Sequence, residues 1–441
     1  MRNRSALQSR RLRSRRLVRG IVALVAVLFG AAAAAQSAPL AITVKKLYVG
    51  DGQVIEGATL VIDGGKVVAV GKGIAVPETA ERIAFPDGVI TPGLIDADSD
   101  VGFSGVETEH ITEVVPQFKM IDAVNLGARE MKTLAREGVT TIGLASDPGA
   151  VIGSAGAVVK TGTAESGRVL MADGAVRVHL THDPQFRGGS NRPPSGAAPT
   201  IFNRRPTTEM GTVFVVREAF YKAADLRDLL AQKAAPKDLD QASRVLTEVL
   251  EGKRRLRVMA NQYHEISAAF RIFKKHGDPA VDDFDLPFSL DRGAEVWRAI
   301  DEVARTKTPV VYGPVFVPQA EPIRVPRFMR ASGDEGDRRL STAAVLEKRG
   351  VPFALTSAGG RGENGLARQA MHAVRAGLPR SAAVVAVTSA PARILGVEAR
   401  VGALKTGLDA DFVVWTGEPF EALSRQDAVY IQGVRVEGKA W

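Results

Sequence analysis

The sequence predicts an α/β protein in two parts. One is a long body of alternating strands and helices; the other is a small all-β unit contributed by both chain ends. Three observations predict it. Between about Leu94 and Leu395, short apolar runs alternate with helical stretches, as in a parallel sheet, open or closed. On either side of that body the pattern changes to short strands and turns. The 441 residues exceed one small core and suit a large domain with a satellite.

The first element is a targeting segment. "MRNRSALQSRRLRSRRLVRG" is a positive n-region, "IVALVAVLFGAAAAA" an apolar h-region, and "AAAAAQSAP" a small-residue cleavage region. The apolar run is shorter than the ~20 residues that span a bilayer. Residues 1–36 therefore read as a cleaved signal peptide, with a mature chain beginning near Gln36 to Leu40 in the periplasm or outside the cell. The repeated "SRRL" hints at twin-arginine export as against the general route. The chain has no cysteine, so neither a lipoprotein anchor nor a disulfide is expected. No membrane association is expected after cleavage.

The charge balance follows from the same segment. The formal charge is +9, and the first 35 residues carry eight arginines and no acid. Removing those eight leaves about +1, so no basic face remains to argue for nucleic-acid binding.

From residue 37 to 93 the pattern is β throughout, with Asp63-Gly64-Gly65 marking a hairpin between "ATLVI" and "KVVAV". Residues 94–395 hold the alternating body. Its buried strands are "VTTIGLAS", "LRVMAN", "DLPFSLD", "TPVVYGP" and "VPFALTSA". Helices are expected at "AVNLGAREMKTLAREG", "EISAAFRIFKKHG", "GAEVWRAIDEVARTK" and "STAAVLEKRG". A closed eightfold barrel needs about 250 residues, which this body supplies. Residues 188–200 form a low-complexity loop, and the charged stretch 207–253 is expected to be helical and mostly solvated. Residues 396–441 return to β and are expected to join 37–93 in one β-sandwich.

One stretch carries the chemistry: "TPGLIDADSDVG", residues 91–102. A short apolar strand runs into Asp96, Asp98 and Asp100, whose alternation sends all three side chains to one side. Three carboxylates on one side repel unless a cation sits between them.

This stretch, with "GGKVVAVG", "EGVTTIGL", "PARILGVEARVGALKTGLDADFVVW" and "AVYIQGVRV", resembles the amidohydrolase superfamily, and within it the secreted imidazolonepropionase-like branch. The resemblance runs in order from about residue 41 to 441. It implies a distorted (β/α)8 TIM barrel with a β-sandwich built from both chain ends. It also implies hydrolysis of carbon–nitrogen bonds other than peptide bonds, by water activated on one or two divalent metals.

The ligand positions that the resemblance marks are substituted. The two histidine positions after strand one hold Asp98 and Asp100. The strand-five word is matched by 258–261, ending in Asn261. The strand-six word is matched by 290–293, with Arg292 in the histidine place. The strand-eight word is matched by 355–358, where Ser357 stands and no acid follows. No lysine ends a fourth strand; the candidate "GTVFVVREAF" offers Arg217 and Glu218. None of the six histidines falls at a matching position. His110 and His372 read as loop and helix residues, His179 and His182 as surface residues beside the flexible loop, and His264 and His276 as solvated.

Three readings of the acids stand. Arg292 neutralises Asp98 and Asp100 as a salt bridge. Alternatively Asp98 and Asp100, with Asn261, Asp291 or Glu107, bind a hard divalent metal ion. Or the acids are solvated. The first is adopted, with Asp96 structural. The expected protein is then an exported, catalytically degenerate pseudoenzyme without cofactor. It keeps the pocket for a small-molecule ligand, or pairs as a homo-oligomer or with an active amidohydrolase. The alternative is an active hydrolase of cyclic amide, N-acyl or dipeptide-like substrates with an oxygen-ligand metal site.

Overall fold

A computed structural model describes residues 38–104, 109, 112–162, 167–186, 206–234, 239–275, 283–317 and 338–438. The signal peptide, Glu107, His110, His276 and the loop at 188–200 lie outside the described residues.

The strands, in chain order, begin with β1 (Leu40–Tyr48), β2 (Val54–Asp63), β3 (Lys66–Gly71) and β4 (Glu81–Pro92). The body holds β5 (Leu94–Ser99), β6 (Val139–Leu144), β7 (Ala157–Lys160), β8 (Val169–Met171) and β9 (Val176–His179). It continues with β10 (Leu256–Ala260), β11 (Phe288–Arg292), β12 (Val310–Tyr312) and β13 (Phe353–Leu355). The last are β14 (Phe412–Trp415), β15 (Gln426–Ile431) and β16 (Val434–Arg435).

The chain ends pair directly. They form one seven-stranded sheet in the order β16-β15-β14-β4-β1-β2-β3. β14 runs antiparallel to β4, with Val414 opposite Ile90 and Trp415 opposite Val89. The Trp415 indole N–H donates to Thr91 Oγ1 at 2.9 Å, and Phe412 stacks on Tyr430 with ring centres 4.5 Å apart. One apolar cluster, including Ile42, Leu60 and Ile90 from the first end and Phe412 and Tyr430 from the second, makes neither end separable.

The body contains two sheets. β9 to β13 are parallel neighbours in sequence order, and β5 pairs parallel with β6, which continues antiparallel into β7 and β8. Strands of continuous apolar burial with helices between them are what a two-faced parallel sheet demands. On one side, an isolated bridge joins Val178 of β9 to Ile152, in the segment between β6 and β7. On the other, the hydroxyls of Thr356 and Ser357, just past β13, donate to Asp96 on β5. The connection into β5 needs Gly93: a Cβ there would lie 2.1 Å from Thr140 Oγ1, so any side chain would push β5 off β6.

A buried cation ties the two parts together. Lys160, the last residue of β7, is 1% exposed, and its Nζ lies 2.8 Å from both Asp409 and Asp411, on the approach to β14. Burial alone would raise the Asp409 carboxyl, but hydrogen bonds from Arg400 and Lys160 hold it at about 2.

Several helices differ from the sequence expectation. The stretch 123–138 is α-helical at Arg129–Arg136, and 293–307 at Ile300–Thr306. The region 207–253 is not mostly solvated. It forms Glu209–Ala231 and Gln241–Leu250, which bury Val215, Val216, Phe220, Leu246 and Val249. Phe220 meets Phe273 edge to face at 5.3 Å, so this pair is part of the main core.

Candidate functional site

The site is built at β5, β9, β10 and β11. Pairing puts Arg177 of β9 beside Arg257 of β10. Two guanidinium groups at neighbouring register positions repel in a buried environment unless carboxylates intervene. Two do. Asp98 comes from β5, and Asp291 from β11, where it pairs with Met259 two residues beyond Arg257.

The contacts form a chain. Arg177 Nη1 lies 2.9 Å from Asp98 Oδ1, and Arg177 Nη2 lies 3.0 Å from Asp291 Oδ2. Arg257 Nε donates to the same Asp291 oxygen at 2.8 Å, and its Nη1 donates to the Ala97 carbonyl at 2.8 Å. Arg292, the last residue of β11, closes on the second oxygen of Asp98 through its Nε. Its backbone sits at φ 70°, an uncommon position for a long side chain, at the turn that leads out of β11. The side chains of Asp98 and Arg177 are 2% and 3% exposed, and that of Arg292 is 25% exposed. The network is therefore an interior one with Arg292 as its solvent-side end.

Electrostatics favours the charged forms. Burial alone would raise the Asp98 carboxyl, but Arg177, Arg292 and Arg257 hold it well below the usual carboxylate range. Burial would lower the Arg177 guanidinium, but Asp98 and Asp291 keep it raised. Asp96 behaves differently. Buried and facing hydroxyls in place of cations, its carboxyl is pushed up by burial, with Ser357 and Thr356 opposing. It accepts from Thr356 Oγ1 at 2.5 Å, from the Ser357 N–H at 3.2 Å and from the Ser357 hydroxyl.

The residues singled out in the sequence separate here. Asp98 and Arg292 meet. Asp100 does not join them: β5 ends at Ser99, the chain turns, and Asp100 is exposed. The side-to-side alternation on which its placement rested lasts only as long as the strand. Asn261 is buried at the end of β10; its N–H donates to Glu265 at 2.7 Å and its carbonyl accepts from the Glu295 N–H at 2.8 Å. Ser357 serves Asp96, not Asp98.

Arg177 and Arg257 were not singled out, and the fourth strand was misplaced. "GTVFVVREAF" lies in the helix Glu209–Ala231, capped by Thr208, while the strand is Val176–His179. The available signal was the residue type: an arginine between apolar neighbours, in "VRV" and "LRV", has to find a buried carboxylate. His179 is likewise no surface residue. It is fully buried on β9, with Nδ1 2.8 Å from the Ala150 carbonyl and Nε2 3.3 Å from that of Ser146. Burial and the nearby Arg177 lower its pKa to about 4. His182 follows β9. His264 is exposed, 3.3 Å from Glu209, and His372 stacks on Phe316.

The divalent metal that the resemblance implies does not fit these residues. Both oxygens of Asp98 are taken by guanidinium groups, and Asp291 is held by two more contacts of the same kind. A dication here would face three arginines. Among the described residues, no group of three or more His, Cys, Asp or Glu side chains could hold a metal ion.

Residues 319–436 match the model of the amidohydrolase family. The particular likenesses are consistent with it. The crystal structure of an amidohydrolase from Thermotoga maritima MSB8 superposes with a TM-score of 0.74 and 26% identity, covering 90% of this chain and 100% of that one. An imidazolonepropionase of Shewanella piezotolerans (strain WP3 / JCM 13877) is 24% identical over 399 residues, 82% of this chain and 87% of that protein. The amidohydrolase tasK of Hapsidospora irregularis is 46% identical over 57 residues, 13% of this chain and 6% of that protein. These likenesses support the amidohydrolase superfamily and a hydrolase-like, mixed α/β fold.

Proposed function

We propose that this chain is an exported amidohydrolase-like protein that no longer runs metal-dependent hydrolysis, and that it acts as a binding protein or as the partner subunit of an active relative. One observation carries the reading: the carboxylate at the first expected ligand position, Asp98, is held by Arg177 and Arg292. A carboxylate with two guanidinium partners is already neutralised, and a metal ion would have to displace both. Arg292, partly exposed, is the network's point of contact with a ligand at the mouth of the strands. The arginine-rich leader ahead of an apolar run supports export.

The test uses the mature chain, purified without chelator. The expected result is metal well below one ion per chain and no turnover of cyclic amides, N-acyl amino acids or dipeptides with added zinc, manganese or calcium. Stoichiometric metal that is lost in Asp98→Asn, together with metal-dependent turnover, would overturn the proposal in favour of an oxygen-ligand metal hydrolase. Recovery of the exported chain with Met1 still present would overturn the cleaved-leader part.

A further inference from the structure

A second cavity lies at the opposite end of the parallel strands. Arg292, Asn261 and Ser357 sit at or just past the C-terminal ends of β11, β10 and β13. This cavity is bordered by residues at the N-terminal ends of β10 to β13, including Leu256, Phe288, Pro309 and Phe353, and measures about 940 Å³. Cavities of roughly 300–1,000 Å³ are the size that takes a small organic ligand.

Its lining has two characters. The walls are apolar: Leu256, Phe288, Val351, Phe353, Val385 and Ile394. Four cations, Lys253, Arg254, Arg255 and Arg393, line it against one acid, Glu347. Two of the four are already neutralised. Lys253 lies 2.6 Å from Glu251, and Arg254 lies 2.8 Å from Glu248 and also pairs with Asp173.

The other two are not. Among the described residues, neither Arg255 nor Arg393 has a carboxylate at ion-pair distance. Arg255 Nη1 instead donates to the Arg393 backbone carbonyl at 3.1 Å, which sets its guanidinium against the main chain of a second cationic residue. Two arginines without a carboxylate partner among the described residues, both lining a cavity with apolar walls, match a molecule with an apolar body and an anionic head. A carboxylate is the group that accepts from a guanidinium fork.

We propose that this cavity binds an amphipathic carboxylate, its chain or ring against Phe288 and Phe353 and its carboxylate on Arg255 and Arg393. Nothing in this proposal depends on the network at Asp98. The site is at the other end of the strands, so ligand binding here and loss of metal chemistry there stand or fall separately.

The experiment is calorimetric titration of the mature chain with sub-micellar decanoate, with decanol and acetate as controls. Decanoate is expected to bind, and decanol and acetate to bind at least about tenfold more weakly, a difference of about 1.4 kcal/mol. Arg255→Met with Arg393→Met, both exposed positions, should weaken decanoate by a similar factor with an unchanged circular dichroism spectrum. Ala382→Trp, which narrows the cavity from a lining position without touching charge, should also weaken it. Absence of decanoate binding to the wild type would overturn the proposal. So would decanol binding as tightly as decanoate, or full affinity in either variant.

Discussion

Arg177 on β9 and Asp98 on β5 meet at 2.9 Å with almost no exposure of either side chain. This contact joins the two sheets of the body, because β5 belongs to one and β9 to the other. A buried ion pair with further hydrogen bonds is costly to open from either side.

Removing Arg177 leaves Asp98 and Asp291 short of a shared partner in the interior. Arg177→Ala should lower stability by about 3–5 kcal/mol, read as a shift in the urea unfolding midpoint. Arg292→Ala should cost less, because that side chain is 25% exposed while Arg177 is 3% exposed and water can replace it. Equal costs would mean that burial does not set the hierarchy.

One contribution to the pH dependence belongs to His179. Its folded pKa, about 4, is depressed below the ordinary histidine value of 6.5. The neutral form is the one folded around. Its stabilising contribution is therefore fully present above pH 6.5 and lost as pH falls toward 4, by about 3 kcal/mol in all. Asp98 titrates below this window, since its carboxyl is held well under the ordinary range. Thermal melts between pH 7 and pH 4 should therefore fall for the wild type and flatten in His179→Gln. A variant that keeps the full slope would assign the loss to another group.

Lys160→Met should loosen the join between the body and the seven-stranded sheet. It leaves Asp409 and Asp411 facing each other, both buried, without the cation that lies 2.8 Å from each. The expected cost is about 3–5 kcal/mol. Limited proteolysis checks it, with faster cleavage expected around residues 396–411 than in the wild type.

Asp96 and Asp100 of "DADSD" should differ in what their surroundings contribute to stability. Thr356→Val and Ser357→Ala each remove a donor from buried Asp96 and should cost about 1–3 kcal/mol. Asp100→Asn, at an exposed position, should stay within about 0.5 kcal/mol. Chemical denaturation of the three variants in parallel gives the comparison.

Much of the body was legible. The apolar runs at 139–146, 256–261, 285–291, 308–314 and 351–358 contain β6, β10, β12 and β13 and all of β11 but Arg292, because a strand covered on both faces has to be apolar nearly throughout. β9 was not legible: four residues, two of them Arg177 and His179, give no apolar run. The helix Glu209–Ala231 was expected within 207–253, although its β-branched "TVFVV" also offered it as a strand; burial of Val215 and Val216 in the main core outweighs that local preference. Arg292 was found because it stands in a recognisable word. Arg177 and Arg257 were missed because they do not.

The sequence by itself determined that acids stand at alternate positions after the apolar run 94–95, and that both chain ends are β. These follow from residue type and local period, which need no knowledge of neighbours. Which arginine meets which acid was decided by tertiary structure alone. Asp98, Arg177, Arg257 and Asp291 stand on four separate strands. Only the parallel register of β9, β10 and β11, with β5 closing against them, brings their charges within 3.0 Å. At that distance, away from water, Coulomb attraction and hydrogen bonding outweigh the desolvation of Asp98 and keep it ionised.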